Sequence, residues 1–232
     1  MISVIVPTLN EEEFIEKCLN SLLDQTLPKR KYEIIVSDSS SKDSTVEIAK
    51  SLADKVVVCK RVSAGFGRNF GAKYAKGEKL VFIDADTVAS ETFLEGASEG
   101  LEKSIACTGP IRALEKNSLL LRVFYRWWSL QSRISVLLRH PIFPGFNFAV
   151  RKKVFDNAGG FKTEDITTED LELSLRLRKY GKLSFNKKML VHTSTRRLRE
   201  ISLPAYIANA ATFVLFNKSR SWKEHRKDMG DV

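Results

Sequence analysis

The first hundred residues alternate short apolar runs with stretches of helical spacing, and this alternation constrains the fold more than any other feature. Strands separated by helices of this length connect in parallel through βαβ units. The predicted strands are ISVIV (2–6), EIIVS (33–37), KVVVC (55–59) and KLVFI (79–83), and the predicted helices cover about 11–24, 43–53 and 66–76. The sequence therefore predicts an α/β fold with a mainly parallel central sheet flanked by helices.

Size and composition favour an ordinary globular protein. The chain has 232 residues, of which 43% are hydrophobic and 28% charged, which suits one large α/β domain. Cys18, Cys59 and Cys107 are far apart and fall in apolar segments, so we expect reduced core thiols. The N-terminus lacks the basic region and long apolar stretch of a secretory signal. These features predict a cytoplasmic protein.

Polar residues follow the predicted strands at the sheet edge where α/β proteins bind ligands. Pro7 and Thr8 follow the first strand, Asp38 the second, Arg61 the third and Asp84 the fourth. A nucleotide site is therefore expected at this edge.

The stretch LVFIDADT (80–87) ends a buried strand in two carboxylates, Asp84 and Asp86. Side chains two residues apart in an extended chain point to the same side, where like charges repel. A divalent cation would relieve this repulsion, since Mg²⁺ uses one or two carboxylates together with substrate phosphates. Two solvated acids at a turn are the structural alternative.

Two further stretches of the first half contain candidate ligand-binding residues. VSDSSSKDST (36–45) leaves a strand at Asp38, whose carboxylate could accept from a base imino N–H, and Asp43 or Ser44 could cap the next helix. GFGRNFGAKYAKG (65–77) lacks the glycine spacing of dinucleotide binders. Its glycines would let a helix begin close to phosphate or another backbone, and Arg68 offers a fork to an anion or lies on the surface.

The second half is less regular. We predict a helix over 117–138, a loop in HPIFPGFNFAV leading into a short strand, and a helix in TTEDLELSLRLRKYG that Gly181 ends. Thr167 or Thr168 would cap that helix, with Asp170 held in its first turn as a candidate base or as a simple partner of the helix dipole. His192 emerges from a strand-like run and is either structural or a metal ligand. A last helix is predicted over 203–217.

The net charge of +10 is concentrated in one segment. Nine basic residues oppose only Glu115 between positions 112 and 153: Arg112, Lys116, Arg122, Arg126, Arg133, Arg139, Arg151, Lys152 and Lys153. In the helix 117–138, Arg122, Arg126, Ser129 and Arg133 form one stripe opposite Val123, Phe124, Trp127, Leu130, Ile134 and Leu138. Packing of the apolar face on the protein core, with arginine stems covering it, is favoured slightly over an anchor on an anionic membrane.

Five segments taken in order resemble the family 2 glycosyltransferases of the GT-A fold: VIVPTLNEE, VSDSSSKDST, GRNFGAKYAKGEKLVFIDADT, PGFNFAVRKKVFDNAGGF and TEDLELSLRLRKYG. The resemblance covers about residues 1–200. It implies an inverting transferase with a nucleotide-sugar donor, a UDP-sugar by preference, and Mn²⁺ or Mg²⁺ as cofactor. A glycan or lipid-linked acceptor is expected.

Carried over residue by residue, the resemblance makes Asp170 the general base and Asp86, with His192, the metal ligand. Asp38 would contact the donor base and Asp84 the ribose or sugar side. Donor contacts are expected at nine positions: Pro7, Thr8, Asn10, Glu11, Asp38, Arg68, Asp84, Ala85 and Asp86. The domain would divide into a donor half, 1–110, and an acceptor half, 111–200, followed by an apolar helix and charged tail in 201–232.

Two departures from the family pattern qualify the resemblance. Ser39 follows Asp38 where the family often has a second acid, and the Q-x-x-R-W signature of processive synthases is missing, so one sugar per encounter is expected. A basic peripheral-membrane or nucleic-acid-binding protein on a degenerate fold is the alternative, although no nucleic acid is expected, because the aromatic residues oppose the basic stripe. A nucleotidyltransferase is disfavoured, because PTLNEEE is acidic where a basic phosphate loop would lie.

Overall fold

The run from Ile2 to Thr8 forms an inner strand because its β-branched residues can be buried on both faces of a sheet. In the computed structural model, which describes residues 1–115, 119–138, 140–163 and 169–196, this strand belongs to a seven-stranded sheet. The ten strands are β1 (Ile2–Thr8), β2 (Tyr32–Asp38), β3 (Lys55–Val58), β4 (Lys79–Phe82), β5 (Thr87–Ala89), β6 (Ala106–Thr108), β7 (Ile111–Ala113), β8 (Phe148–Arg151), β9 (Leu183–Phe185) and β10 (Val191–Thr193).

The large sheet has the order β3-β2-β1-β4-β8-β6-β9. The first four strands are parallel to one another, β8 is antiparallel to both of its neighbours, and β9 is parallel to β6. A smaller sheet, β5-β10-β7, lies beside it. The prediction of a mainly parallel sheet is therefore confirmed, and all four predicted strands of the first half form within two residues of the expected ends.

Helices cover both faces of the sheet. They are α1 (Ile15–Leu23), α2 (Thr45–Leu52), α3 (Ala64–Lys73), α4 (Phe93–Lys103), α5 (Leu119–Leu137), α6 (Lys152–Asn157) and α7 (Glu169–Leu177), with a short 3-10 helix at Lys29–Lys31. Alternate residues of β1 show the two layers: Val4 packs in the core beside α1 and α4, whereas Ile5 packs in the core beside α3, α6 and α7. The three cysteines are buried and free, as predicted.

Helix ends differ from the sequence prediction. Helix α7 ends at Leu177 rather than continuing to Lys179, because hydrogen-bonded turns follow it and Gly181, with φ of +154°, redirects the chain into β9. Ser44 is the N-cap residue of α2, but its side chain accepts no capping hydrogen bond. Instead Asp43 lies before the N-cap residue and accepts from the backbone N–H and hydroxyl of Thr45. The proposed cap at Thr167 or Thr168 and the predicted helix 203–217 lie outside the described residues.

The prediction that the apolar face of α5 packs on the protein core is wrong for most residues of that face. Phe124 is buried as expected, but the rest of that face is 43–73% exposed: Val123, Trp127, Leu130, Ile134 and Leu138. The buried side consists of Phe124, Tyr125, Ser129, Ser132 and Ser135, so a serine assigned to the basic stripe faces the protein. Small serine side chains let α5 approach its neighbours closely, which hydrophobicity alone does not predict. Within the described part of the chain, no helix has the length and apolar character needed to cross a bilayer.

Candidate active site

The carboxyl ends of β1 and β2 lie side by side and place the first two site residues in contact. Their parallel register pairs Thr8 with Asp38. The Thr8 hydroxyl donates to Asp38 Oδ1 at 2.9 Å, and Pro7 lies one position earlier on β1, facing Gly67 of α3. The predicted meeting of strand-end residues is thus present in the sheet itself.

The loops that follow these strands hold each other through reciprocal hydrogen bonds. The Asn10 N–H donates to the Ser41 hydroxyl at 2.8 Å, and the Lys42 N–H donates to Asn10 Oδ1 at 2.9 Å. The Glu11 N–H reaches the Thr45 hydroxyl at 2.7 Å. Asn10 and Ser40 adopt φ values of 54° and 62°, which residues other than glycine seldom adopt. Strained backbone held by surrounding bonds is typical of ligand-binding sites.

Asp38 is fully buried and its carboxylate is used within the protein. Oδ1 accepts from the hydroxyls of Thr8 and Ser41, and Oδ2 accepts from the Ser41 N–H at 2.8 Å. These three bonds fix the loop after β2 in the position seen here. Contact of Asp38 with a donor base stays a prediction, and any such contact would have to use the remaining acceptor capacity of this carboxylate.

Arg68 lies at the centre of the site rather than at its surface. Its Nη2 is 2.9 Å from Asp84 Oδ1 and its Nη1 is 2.9 Å from Glu169 Oε1. Burial alone would lower the pKa of this guanidinium, but the carboxylates of Asp84, Glu169 and Asp170 together raise it above its ordinary value. The surface alternative for Arg68 is therefore wrong, and its fork binds two carboxylates of the protein itself.

The glycines around Arg68 allow close approach of backbone, as the sequence predicts. A Cβ on Gly65 would lie 2.4 Å from the carbonyl oxygen of Lys162, and one on Gly71 would lie 2.7 Å from a methyl group of Ile5. Helix α3 can therefore lie directly on β1 and against the segment before α7. These contacts occupy the space beside Gly65 and Gly71.

Asp86 is also buried and also has a guanidinium nearby. Arg196 Nε is 3.4 Å from Asp86 Oδ2, the same side chain pairs with Glu11, and its charge lies 4.7 Å from the ring centre of Phe14. The backbone N–H of Ser194 donates to the Asp86 carbonyl at 3.0 Å, which ties β10 to the loop after β4. Ala85, between the two acids, points into the core.

His192 lies in the middle of β10, opposite Val88 of β5 and beside Arg112 of β7. It is half-buried, whereas its neighbours Val191 and Thr193 point to the buried side of the small sheet. Because Ser194 of the same segment bonds to Asp86, the strand that contains His192 ends next to that acid. The structure therefore brings the two predicted metal ligands onto adjoining segments.

The residues around Asp86 fit an ion that needs ligands from a bound molecule. Among residues 1–115, 119–138, 140–163 and 169–196, no group of three or more His, Cys, Asp or Glu side chains is placed to hold a metal ion. A buried carboxylate with a cation beside it is nevertheless present at Asp86. Oxygen ligation by one or two protein groups with phosphate oxygens is the usual arrangement for Mg²⁺.

Asp170 lies in the first turn of α7 and is oriented by backbone donors. Oδ2 accepts from the Gly145 N–H and Oδ1 from the Leu171 N–H, both at 2.8 Å. Burial, and then the charge of Glu169, raise the pKa of Asp170 to about 7, while Arg68 and the two N–H donors lower it. A rigidly held carboxylate that titrates near neutrality can act as a general base.

Two charged residues of the site, Glu169 and Arg196, were not predicted from the sequence. Glu169 was not among the candidate residues, yet it bonds to Arg68 across the molecule. Arg196 lies beyond the last predicted strand, and nothing in the local sequence indicates that it reaches Glu11. The sequence carried no signal for either residue, because the burial of Arg68, which calls for more than one acid nearby, is itself visible only in the structure.

Comparisons with known proteins identify the family of the chain. Residues 3–159 match the family model described as Glycosyl transferase family 2. The chain is 44% identical over 101 residues to the poly(ribitol-phosphate) beta-glucosyltransferase of Bacillus spizizenii, a match covering 40% of this chain and 16% of that protein. It is 28% identical over 198 residues to the probable glycosyltransferase YdaM of Bacillus subtilis, covering 78% and 47% respectively. The chain thus spans less than half the length of these two relatives.

Solved structures show the same fold. The S. aureus TarS 1-349 complex with UDP-GlcNAc matches with a TM-score of 0.71 and 21% identity, over 98% of this chain and 70% of that one. The mannosyltransferase PcManGT from Pyrobaculum calidifontis, in complex with GDP-Man and Mn²⁺, matches with a TM-score of 0.68 and 22% identity, over 98% and 67%. The predicted GT-A fold is confirmed.

Proposed function

Because the chain belongs to glycosyl transferase family 2, we propose that it transfers a sugar from a nucleotide-diphosphate donor to an acceptor hydroxyl. The observation that supports this function best is the convergence of Asp84, Asp86 and Asp170 at the carboxyl ends of the parallel strands, each with a cation or backbone donor beside it. Ligands of open α/β sheets bind at this edge.

The donor would bind between the loops that follow β1, β2 and β4. The bonds between Asn10 and residues 41–42 hold these loops in place before a donor arrives, which limits the ordering needed on binding. We propose contacts of the nucleoside with Pro7, Thr8, Asn10 and Asp38, and of the ribose or sugar with Asp84. A UDP-sugar is the proposed donor, in line with the UDP-GlcNAc bound by the TarS structure.

Asp86 and His192, together with the donor diphosphate, would hold Mn²⁺ or Mg²⁺, which supplies positive charge opposite the departing nucleoside diphosphate. Arg196, which also pairs with Glu11, lies beside Asp86 and would give way to the ion at that carboxylate. The Mn²⁺ complex of PcManGT supports a divalent ion in this fold.

Asp170 is proposed to take the proton of the acceptor hydroxyl as that oxygen attacks the anomeric carbon. Attack from the face opposite the leaving diphosphate inverts the configuration at that carbon. A pKa of about 7 lets Asp170 accept a proton at neutral pH and release it afterwards. The hexosyl group would be transferred once per encounter.

The test uses Asp170→Asn, because the amide keeps the size of the side chain but cannot accept the proton. We expect transfer from UDP-sugars with Mn²⁺ to fall by about 10²–10⁴-fold, while donor binding measured by calorimetry persists. Asp156→Asn, on the exposed side of α6, is the matched control and should transfer at the wild-type rate. Full activity of Asp170→Asn would refute its role as base.

The acceptor is proposed to be a cell-envelope or lipid-linked glycan. One relative named above is a poly(ribitol-phosphate) glucosyltransferase. A second relative, from Methanococcus voltae, is 26% identical over 84% of this chain and 67% of its own length. Its name is dolichyl N-acetyl-alpha-D-glucosaminyl phosphate 3-beta-D-2,3-diacetamido-2,3-dideoxy-beta-D-glucuronosyltransferase. Transfer to purified polyol-phosphate polymers and to polyprenyl-phosphate glycans would separate these acceptors.

We also propose that α5 contacts the cytoplasmic face of an anionic membrane. Leu120, Val123, Trp127, Leu130 and Ile134 form an exposed apolar stripe with three- and four-residue spacing. Arg122, Arg126 and Arg133 are exposed beside it, and α5 contains no acidic residue. An apolar stripe bordered by arginines is typical of a helix that lies in the membrane interface.

Liposome flotation tests the membrane proposal. The wild-type chain should float with vesicles containing phosphatidylglycerol at low salt and remain unbound to phosphatidylcholine vesicles. Trp127→Glu should abolish flotation, whereas Lys50→Glu on α2, an exposed site away from α5, should retain most of it. No association of the wild type at low salt would contradict the proposal.

A further inference from the structure

Three charged side chains from distant parts of the sequence form one buried chain of ion pairs. Arg68 on α3 lies between Asp84, which follows β4, and Glu169, which begins α7, with both N–O distances equal to 2.9 Å. The donor half of the fold contributes Asp84 and Arg68, and the acceptor half contributes Glu169. Arg68 is therefore a direct electrostatic connection between the two halves.

These side chains are almost fully removed from solvent. Their exposed fractions are 5% for Arg68, 10% for Asp84 and 11% for Glu169. Ionic interactions in such surroundings are much stronger than at the surface, and each partner is costly to leave unpaired. A guanidinium can satisfy two carboxylates at once because its donors form a rigid planar fork, which an ammonium does not have.

The packing around the guanidinium joins it to Asp170. A Cβ on Gly145 would lie 2.8 Å from Arg68 Cζ, so the backbone at Gly145 rests directly on the guanidinium. The N–H of the same residue donates to Asp170 Oδ2 at 2.8 Å. Phe161 covers the guanidinium, with its ring centre 5.3 Å from Cζ. The position of Arg68 thus determines where the Gly145 N–H lies, and that N–H donates a hydrogen bond to Asp170.

We propose that Arg68 is a positioning residue, which holds Asp84 and the Glu169–Asp170 turn at a fixed separation and thereby aligns the donor site with the acceptor site. This role rests on the proposed function, and it replaces the expectation that Arg68 binds an anion of the donor. Because both arms of the fork are engaged by protein carboxylates, Arg68 acts on the reaction through Asp84 and Asp170.

Changes at Glu169 and at Arg68 should shift the pKa of Asp170 in opposite directions. Glu169 on α7 and Arg68 on α3 are the charged groups that influence Asp170, together with the N–H donors of Gly145 and Leu171. Removing the Glu169 charge should lower the pKa of Asp170, because a neighbouring like charge is lost. Weakening the Arg68 bridge should raise it, because the Glu169 charge is then less compensated.

The first experiment does not depend on catalysis. Carbon-13 NMR of the Asp170 carboxyl, assigned by its loss in Asp170→Asn, gives its titration in the wild type, Arg68→Lys and Glu169→Gln. We expect the midpoint to rise in Arg68→Lys, whose ammonium spans only one carboxylate, and to fall in Glu169→Gln. Arg176→Lys is the matched control, since Arg176 pairs with Glu172 on the same helix. Unchanged midpoints in both site variants would overturn the proposal.

The second experiment separates positioning from donor binding. In Arg68→Lys, kcat should fall on the order of 100-fold, as misalignment of reacting groups predicts, while the donor KM, to which Asp84 contributes one contact among several, changes by a much smaller factor. A large rise in KM with unchanged kcat would instead assign Arg68 to the donor and overturn the positioning role. A wild-type chain that transfers no sugar would refute the proposed function, and the NMR titrations would still decide whether Arg68 couples Asp84 to the Asp170 turn.

Discussion

The two acids that follow β4 are only two residues apart, yet the arginines beside them differ in kind. Asp84 pairs at 2.9 Å with Arg68, whose side chain is 5% exposed, whereas Asp86 lies 3.4 Å from Arg196, whose side chain is 31% exposed. The first cation is enclosed by the protein on several sides. The second has nearly a third of its side chain in contact with solvent. One carboxylate therefore belongs to the framework, and at its neighbour we expect the cation to be exchangeable.

The largest difference between the two regions should be in stability. Arg68→Met leaves two buried carboxylates without their shared cation and should lower the free energy of unfolding by about 3–5 kcal/mol. Arg196→Met also leaves two largely buried carboxylates, Glu11 and Asp86, but Arg196 itself is 31% exposed, so solvent replaces part of its charge and the loss should be smaller, about 1–3 kcal/mol. Urea unfolding of both variants measures the contrast. Equal losses would show that the two arginines do not differ as their exposures indicate.

A smaller effect on stability concerns Asp170 and its dependence on pH. The folded-state pKa of about 7 lies above the ordinary value of 3.8, so the folded chain binds the proton more tightly than the unfolded chain. The resulting stability is fully present below the unfolded pKa and is lost as pH rises from about 4 through about 7.

Asp170→Asn cannot ionise and should escape this loss. The difference in melting temperature, variant minus wild type, should therefore be more positive at pH 8 than at pH 5, by at least about 2–4 °C if only 1 kcal/mol is recovered. Asp156→Asn, an exposed acid, should show the same difference at both pH values. A difference that does not change with pH would mean that Asp170 titrates in its ordinary range.

The exchangeable cation at Asp86 predicts a modest effect on metal binding. Arg196 and a divalent ion would compete for the same carboxylate, so Arg196→Met should bind Mn²⁺ more tightly than the wild type in the absence of donor, by about 2- to 5-fold, as expected for a weak competing pair. Electron paramagnetic resonance of free Mn²⁺ measures the affinity, with Arg178→Met as the surface control. Weaker binding by Arg196→Met would place Arg196 among the groups that help to hold the ion.

The smallest effect is expected on the exposed stripe of α5. Leu130 is 52% exposed, so Leu130→Gln should change the free energy of unfolding by no more than about 0.5 kcal/mol. Phe124→Ala on the buried side of the same helix should cost about 3–5 kcal/mol. Thermal unfolding compares the two, and a loss at Leu130 close to that at Phe124 would mean that the stripe is covered by protein.

The strands of the first half and the identity of the acids at their ends could be predicted because they depend on local pattern. Strand β1 is recognisable from its β-branched residues alone, and the parallel neighbours of β1 follow from the helices between them. The partners of those acids could not be predicted in the same way. Glu169 is 101 residues from Arg68, and Arg196 is 185 residues from Glu11, so no local pattern connects them.

The faces of α5 show a second limit of sequence reasoning. Its apolar residues predict which side could be buried, but Ser129, Ser132 and Ser135 occupy the side that is buried. The packing of a helix depends on how closely its neighbours approach, and small residues permit the closest contact. Periodicity of hydrophobic residues contains no information about that distance.

The sequence by itself determined the α/β alternation, the carboxylates at the strand ends and the resemblance to a transferase family, because each of these depends on residues close together in the chain. Only the tertiary structure decided which cation accompanies each carboxylate, since β4, α3, α7 and β10 meet through folding of distant segments. The electrostatics of the site depend on those distances, and distance in space is what a linear order of residues leaves open.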